Sequence, residues 1–187
     1  MKVTKEQVQA NRARIVETAS VLFRERGYDG VGVAELMAAA GFTHGGFYKH
    51  FRSKADLMRE TTESGLSQSL ASSEGLDVTE FFKYYVSRKH RDARSEGCTM
   101  AALGGDAARQ SDDIKATFAA GIENLLTALQ PESAGDTDQH EVRAKVIDML
   151  AHAVGAVVLS RACPDDSPLA DEILQICRAQ ILESLPA

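Results

Sequence analysis

Apolar residues return every three to four positions along nearly the whole chain, and nowhere do they alternate with polar ones. Val8, Ile15, Ala19, Leu22 and Phe23 fall on one helical face, with Arg12, Arg14, Glu17, Arg24 and Glu25 on the other. A period near 3.6 puts such residues on one side of a helix, whereas a half-buried strand needs a period of two. The pattern predicts an all-α fold of about nine helices. They are expected near 4–26, 33–40, 44–50, 53–72, 78–91, 99–109, 112–129, 139–161 and 169–185. Ser53 followed three residues later by Asp56 resembles a capping box with the shorter acid. Pro131–Asp138 reads as a loop, and Pro164–Pro168 as a turn.

Several classes are disfavoured by what the chain lacks. No apolar run approaches the ~18 residues of a membrane span, and the Met1-Lys-Val-Thr-Lys start has no apolar signal region, so a cytoplasmic protein is expected. Three cysteines, Cys98, Cys163 and Cys177, are too few and unpaired in number for a disulfide framework. The five histidines show no metal-ligand spacing. No Gly-x-Gly-x-x-Gly, Walker loop or Gly-x-Ser-x-Gly occurs. The expectation is a non-enzyme with no catalytic residues, cofactor or metal; an all-α enzyme and a protein-interaction adaptor are the rival readings.

Residues 33–50 carry the sharpest signal. Two helices of about eight residues, joined by Gly41-Phe42-Thr43, have helix-turn-helix dimensions. A second helix this short must pack Phe47 and Phe51 against its neighbours to be stable. Thr43, His44, Gly45, Tyr48 and Lys49 are then left facing outward, a chemistry suited to phosphates and base edges. The same spacing also suits a structural αα-corner.

The run Gly27-Tyr-Asp-Gly-Val-Gly-Val-Ala-Glu-Leu-Met-Ala-Ala-Ala-Gly-Phe-Thr-His-Gly-Gly-Phe-Tyr-Lys-His-Phe51-Arg-Ser-Lys54 resembles the DNA-binding signature of TetR/AcrR-type transcriptional regulators. The resemblance covers roughly residues 8–60. It implies a helix-turn-helix DNA-binding domain over residues 1–52 and an effector-binding and dimerisation domain over 53–187. It also implies that Tyr48 and Lys54 contact backbone phosphates, and that Thr43, His44, Gly45 and Lys49 lie at or near base edges and flanking phosphates. Gly32 stands where the family often has Ser or Thr, so a hydroxyl cap is missing.

Charge agrees with such a division. The net charge is −6, yet residues 1–60 carry ten Lys/Arg against seven Asp/Glu, and the remainder is strongly acidic. A mildly basic head on an acidic body suits a DNA reader whose body is repelled by DNA.

For the larger part the resemblance implies a homodimer on palindromic operator DNA, released by a small-molecule effector. The apolar stripes of the last two helices are expected at the dimer interface: Val146, Leu150, Val154, Val157, Ile173, Ile176 and Ile181. The same stripes also suit the core of one protomer. Phe81, Tyr85, Met100, Leu103, Phe118, Ile122 and Met149 are candidate pocket walls, or ordinary core, and an uncharged or weakly charged organic compound is the expected effector. Cys98, after Gly97 at a helix start and near Arg91 and Arg94, is a candidate redox sensor; the alternative function is a thiol-based electrophile- or oxidant-sensing repressor.

Overall fold

The computed structural model describes residues 4–71, 75, 77–130 and 139–185. Among them are nine α-helices and one 3-10 helix, with no strand. α1 spans Lys5–Arg26, α2 Val33–Ala39, the 3-10 helix His44–Lys49, and α3 Lys54–Ala71. α4 spans Val78–Tyr85, α5 Arg88–Asp92 and α6 Thr99–Ala107. α7 spans Asp112–Ala128, α8 Gln139–Ala162 and α9 Pro168–Ser184. The expected loop at Pro131–Asp138 lies outside the described residues. No helix among the described residues is long and apolar enough to cross a membrane.

Local chemistry sets the helix ends. Thr4 Oγ1 accepts from the Gln7 amide and Asp77 Oδ1 from the Glu80 amide, which satisfies first-turn donors. At α3, Ser53 Oγ accepts from the Asp56 amide at 3.1 Å while Asp56 Oδ2 accepts from Arg52 N–H at 3.3 Å. The reciprocal box therefore forms, reaching back one residue before the cap. α1 stops at Gly27, whose φ of 76° suits a residue without Cβ.

One expected helix is two. Over 78–91 the apolar spacing is continuous, but the chain leaves the helix at Val86 (φ −94°, ψ 57°) and Ser87 Oγ caps a new one at the His90 amide. The break turns Arg91 inward. Its guanidinium donates to Ser160 Oγ (3.2 Å), Ser160 O (3.1 Å) and Cys163 O (3.3 Å), and pairs with Asp92 and Asp165. These bonds tie α5 to the end of α8, a return that spacing along one element cannot reveal.

Two apolar clusters make the core. The first joins Ile15, Phe23, Tyr28, Leu36, Phe47 and Phe51 of the N-terminal helices to Leu57 of α3, Leu103 of α6 and Phe118 of α7. The second joins Phe82, Tyr85, Leu125, Leu150, Val157 and Leu174 across α4, α7, α8 and α9. α3 passes from one cluster to the other, since Leu66 belongs to the second. α3 and α7 meet closely at Gly121, where an added Cβ would collide with Leu66.

The stripe read on the last two helices faces this second cluster. Val146, Leu150, Val157 and Ile181 are buried within the protomer, and Val154 and Ile173 pack partly against them. Only Ile176 of that group is exposed, at 54%. A different apolar set faces outward: Ile147, Val158 and Leu159 on α8, and Leu169 with Ile176 on α9. The 3.6 period finds the apolar face of a helix; when a helix is apolar on two sides it cannot say which one faces the protomer's own core.

Candidate nucleic-acid interface

Gly41, with φ 82°, turns the chain between α2 and the 3-10 helix. Phe42 N–H donates to Met37 O at 2.8 Å and Gly46 N–H to Thr43 O at 2.9 Å, so the turn is closed by backbone on both sides. Thr43 stands at the cap position, but its side chain caps nothing, which leaves its hydroxyl outward. The helix behind is a tight 3-10 turn rather than an α-helix, in keeping with two adjacent glycines of low helix propensity. Gly32 likewise precedes α2 with no side-chain cap.

Phe47 and Phe51 are buried with ring centroids 5.5 Å apart and hold the short helix down. Arg12 of α1 secures it from beneath. Its guanidinium lies 4.2 Å over the Phe51 ring, donates to the His50 carbonyl and pairs with Glu60 of α3. One side chain thus joins α1, the end of the 3-10 helix and α3. His50 Nδ1 is buried without a partner. Desolvation, then the charges of Arg12 and Lys49, hold the His50 pKa below its ordinary value.

Thr43, His44, Gly45, Tyr48 and Lys49 all lie exposed on this one short element. Tyr48 is 68% exposed, and its ring leans edge-on against Phe47, centroids 5.3 Å apart. A Cβ on Gly45 would meet nothing within 4 Å. Lys54 is placed differently. It is half-buried, with Nζ donating to Tyr28 O at 2.5 Å and lying 5.9 Å from the centre of the Phe23 ring. An ammonium has three donors, so two remain beside this carbonyl.

Spacing within one segment could not show what stands behind Tyr28. Its amide donates to Asp106 Oδ2 of α6 at 3.0 Å, and its hydroxyl bonds Thr62 Oγ1 of α3. Arg109 holds the other Asp106 oxygen at 2.7 Å. Burial raises the Tyr28 pKa to about 12, the Thr62 bond opposing and the Asp106 charge adding to the rise.

The candidate pocket residues divide. Phe81, Tyr85, Met100 and Met149 share the second cluster, whereas Leu103 and Phe118 belong to the first and Ile122 is exposed. A separate groove of about 410 Å³ runs between α3 and α7, lined by Arg59, Glu63, Leu66, Ser67, Ala120 and Gly121 among others. It contains none of the expected wall residues.

Cys98 is 6% exposed and occupies the cap position of α6, where no side chain caps the helix. Its amide donates to His90 Nε2 at 3.1 Å, while His90 Nδ1 contacts Tyr85 O at 2.7 Å. The first of these bonds makes Nε2 an acceptor and places the ring proton on Nδ1. Desolvation, against the bond to Tyr85 O and with the Arg161 charge, lowers the His90 pKa. Cys163 and Cys177 are half-buried and free. No group of three metal-ligating side chains occurs among the described residues.

Comparison with known proteins agrees with this geometry. Residues 15–61 match the family described as bacterial regulatory proteins, tetR family. The uncharacterized HTH-type transcriptional regulator YfiR of Bacillus subtilis is 33% identical over 69 residues, covering 37% of this chain and 34% of that protein. The alignments with the first curated relatives span about a third of their lengths. The HTH-type transcriptional repressor NemR of Escherichia coli is 25% identical over 139 residues, covering 69% of this chain and 70% of NemR. The solved structure of reduced E. coli NemR shares the fold with a TM-score of 0.70 at 21% identity, over 93% of this chain and 96% of that one. Over residues 15–61, which hold the helix-turn-helix segment, the chain is thus similar to the tetR family of bacterial regulatory proteins.

Proposed function

We propose that the chain is a ligand-responsive transcriptional repressor, a homodimer whose two heads read a palindromic operator until a small molecule releases them. The observation that carries this reading is the row Thr43, His44, Gly45, Tyr48 and Lys49, exposed together on an element clamped from behind by Phe47, Phe51 and Arg12. Contact with base edges and flanking phosphates would come from Thr43, His44, Gly45 and Lys49, and further phosphate contact from Tyr48 and Lys54. Residues 1–52 would act as the reading unit and residues 53–187 as the effector-binding and dimerising unit. The effector would sit near Phe81, Tyr85, Met100 and Met149. The exposed apolar faces of α8 and α9 would meet their symmetric copies, which sets two heads at one spacing.

An effector shifts the equilibrium only by its differential affinity for the two arrangements, and operator DNA must weaken effector binding by the same factor. A gel shift with the DNA upstream of the protein's own gene tests the reading. Retardation lost in Tyr48→Ala with Lys49→Ala supports it; equal retardation of wild type and double variant overturns it.

Cys98 supports a second, thiol-sensing reading, because its thiol lies beside the Tyr85 hydroxyl and within Coulombic range of Arg24 and Arg161. Operator release by N-ethylmaleimide or hypochlorite in wild type and not in Cys98→Ser supports this; equal release ends it.

A further inference from the structure

The N-terminus of α6 is buried and uncapped. Cys98, Thr99, Met100 and Ala101 are all buried; His90 Nε2 accepts from the Cys98 amide, and the Cys98 side chain does not cap the amides that follow. Such a helix end concentrates donors and positive partial charge. At α1, α4 and α5, Thr4, Asp77 and Ser87 answer this need; at α6, as at α2, α7 and α9, the cap side chain does not.

Two further observations point the same way. The Tyr85 hydroxyl (residue 3% exposed) lies beside the Cys98 thiol but has no partner in hydrogen-bond geometry, and Thr99 Oγ1 (residue 1% exposed) has none either. A buried hydroxyl left without a partner is costly. Around them stand two guanidinium groups that form no ion pair among the described residues. Arg24 donates to Ser95 O (2.7 Å) and Ser20 Oγ (2.6 Å), and Arg161 to Arg91 O (2.9 Å) and His90 O (3.0 Å), all neutral acceptors. Glu25 and Glu96 are the carboxylates within Coulombic range of Arg24, and Arg94 adds a further positive charge near Arg161. Arg91, by contrast, is paired with Asp92 and Asp165. Cations withdrawn from water without an anion are destabilising until one arrives.

We propose that this junction of α1, α4, α6 and α8 is a binding site for an oxyanion, a carboxylate or phosphate group held by the α6 N-terminus, the Tyr85 and Thr99 hydroxyls, Arg24 and Arg161. The inference deepens the effector-responsive reading and rests on it for its regulatory meaning, because Arg24 belongs to the helix that leads into the head. An effector with an acidic group replaces the weakly charged compound expected from sequence. The anion supplies the missing charge and acceptor lone pairs, while the neighbouring apolar side chains Phe81, Met100 and Met149 would take its organic part.

Thermal unfolding of the full chain tests binding without DNA, with benzoate and inorganic phosphate as probes and chloride at matched ionic strength as reference. A saturating rise of about 5 °C at a hundredfold excess over Kd is expected for at least one probe. Benzoate alone identifies a carboxylate site, and phosphate alone a phosphate site. The rise should fall at least fivefold in Arg161→Gln and in Tyr85→Phe or Thr99→Val, each of which leaves most packing intact. No saturable rise with either probe overturns the proposal. So does a rise that survives all three substitutions, because the anion then binds elsewhere. Operator binding by the wild type is scored separately, so loss of the DNA-reader reading leaves this result standing.

Discussion

The amide of Tyr28, in the turn that opens the head, donates to a carboxylate oxygen of Asp106 at the end of α6, 3.0 Å away. The two residues are 78 positions apart. Gly27 makes the approach possible, since a Cβ there would overlap Asp106 Oδ2. Lys54 and Thr62 of α3 hold the Tyr28 carbonyl and hydroxyl, so every polar group of this buried tyrosine is fixed from outside the head's own three helices.

Asp106→Ala should therefore loosen the head selectively. Loss of a charge-assisted bond to a buried amide predicts a drop of about 1–3 kcal/mol in unfolding free energy. Hydrogen exchange should accelerate at residues 27–32 more than in α8 and α9, and Asp106→Asn, which keeps an acceptor, should recover much of the protection. Uniform acceleration across the chain would contradict a local role.

Gly65→Ala is predicted to destabilise by about 1–3 kcal/mol through overpacking. The added methyl would overlap Thr99 Oγ1 and lie 3.3 Å from Arg24 Nη1, at the crossing of α3 and α6. Urea denaturation should show a lower midpoint with an unchanged slope. The same substitution at Gly104, where a Cβ meets nothing, should leave the midpoint level or slightly higher.

Stability should fall in mild acid. Burial holds His90 below its ordinary pKa of 6.5, so the unfolded chain takes up a proton that the folded chain refuses. The contribution is complete above 6.5 and is lost as pH falls from there through the lower folded value. His50 shifts in the same direction. Urea midpoints between about pH 7 and about pH 5 should decline in wild type and decline less in His90→Gln. A decline identical in both would exclude His90 as a contributor.

Lys49 and Lys54 should separate in their effects. Lys49 is exposed, so Lys49→Ala should reduce the slope of log affinity against log salt by about 1 while leaving stability unchanged. Lys54→Ala removes the bond to Tyr28 O and would remove the proposed phosphate contact, so it should lower both salt dependence and stability, the latter by about 1 kcal/mol. Fluorescence anisotropy across a salt series, paired with urea curves, measures both.

Ile176→Glu should weaken self-association without unfolding the protomer, because the side chain is exposed in the single chain. Ile181→Glu buries an unpaired charge in the core and should unfold it. Light scattering with circular dichroism distinguishes the two outcomes.

The all-α class, the ends of α1, α2 and α3, and the outward row from Thr43 to Lys49 were legible in the sequence, because each depends on residues within a few positions of one another. A helical period, a Ser-x-x-Asp box and a glycine of positive φ act locally. The head signature is local too: Phe47 and Phe51 must turn inward on so short a helix, which sends Tyr48 and Lys49 out.

What tertiary structure alone decided are relations between distant segments. The 3.6 period marked Val146, Leu150 and Val157 as apolar, but only packing against α9 and α4 showed that they face the protomer's interior while Ile147 and Ile176 face outward. Spacing ran one helix through 78–91, and only Arg91's bonds to Ser160 and Cys163 made sense of the break at Val86. The link from Tyr28 to Asp106, and the meeting of Tyr85, Thr99, Arg24 and Arg161 around one helix end, have no signature in any single segment, because contacts across tens of residues depend on how helices cross rather than on their own periodicity.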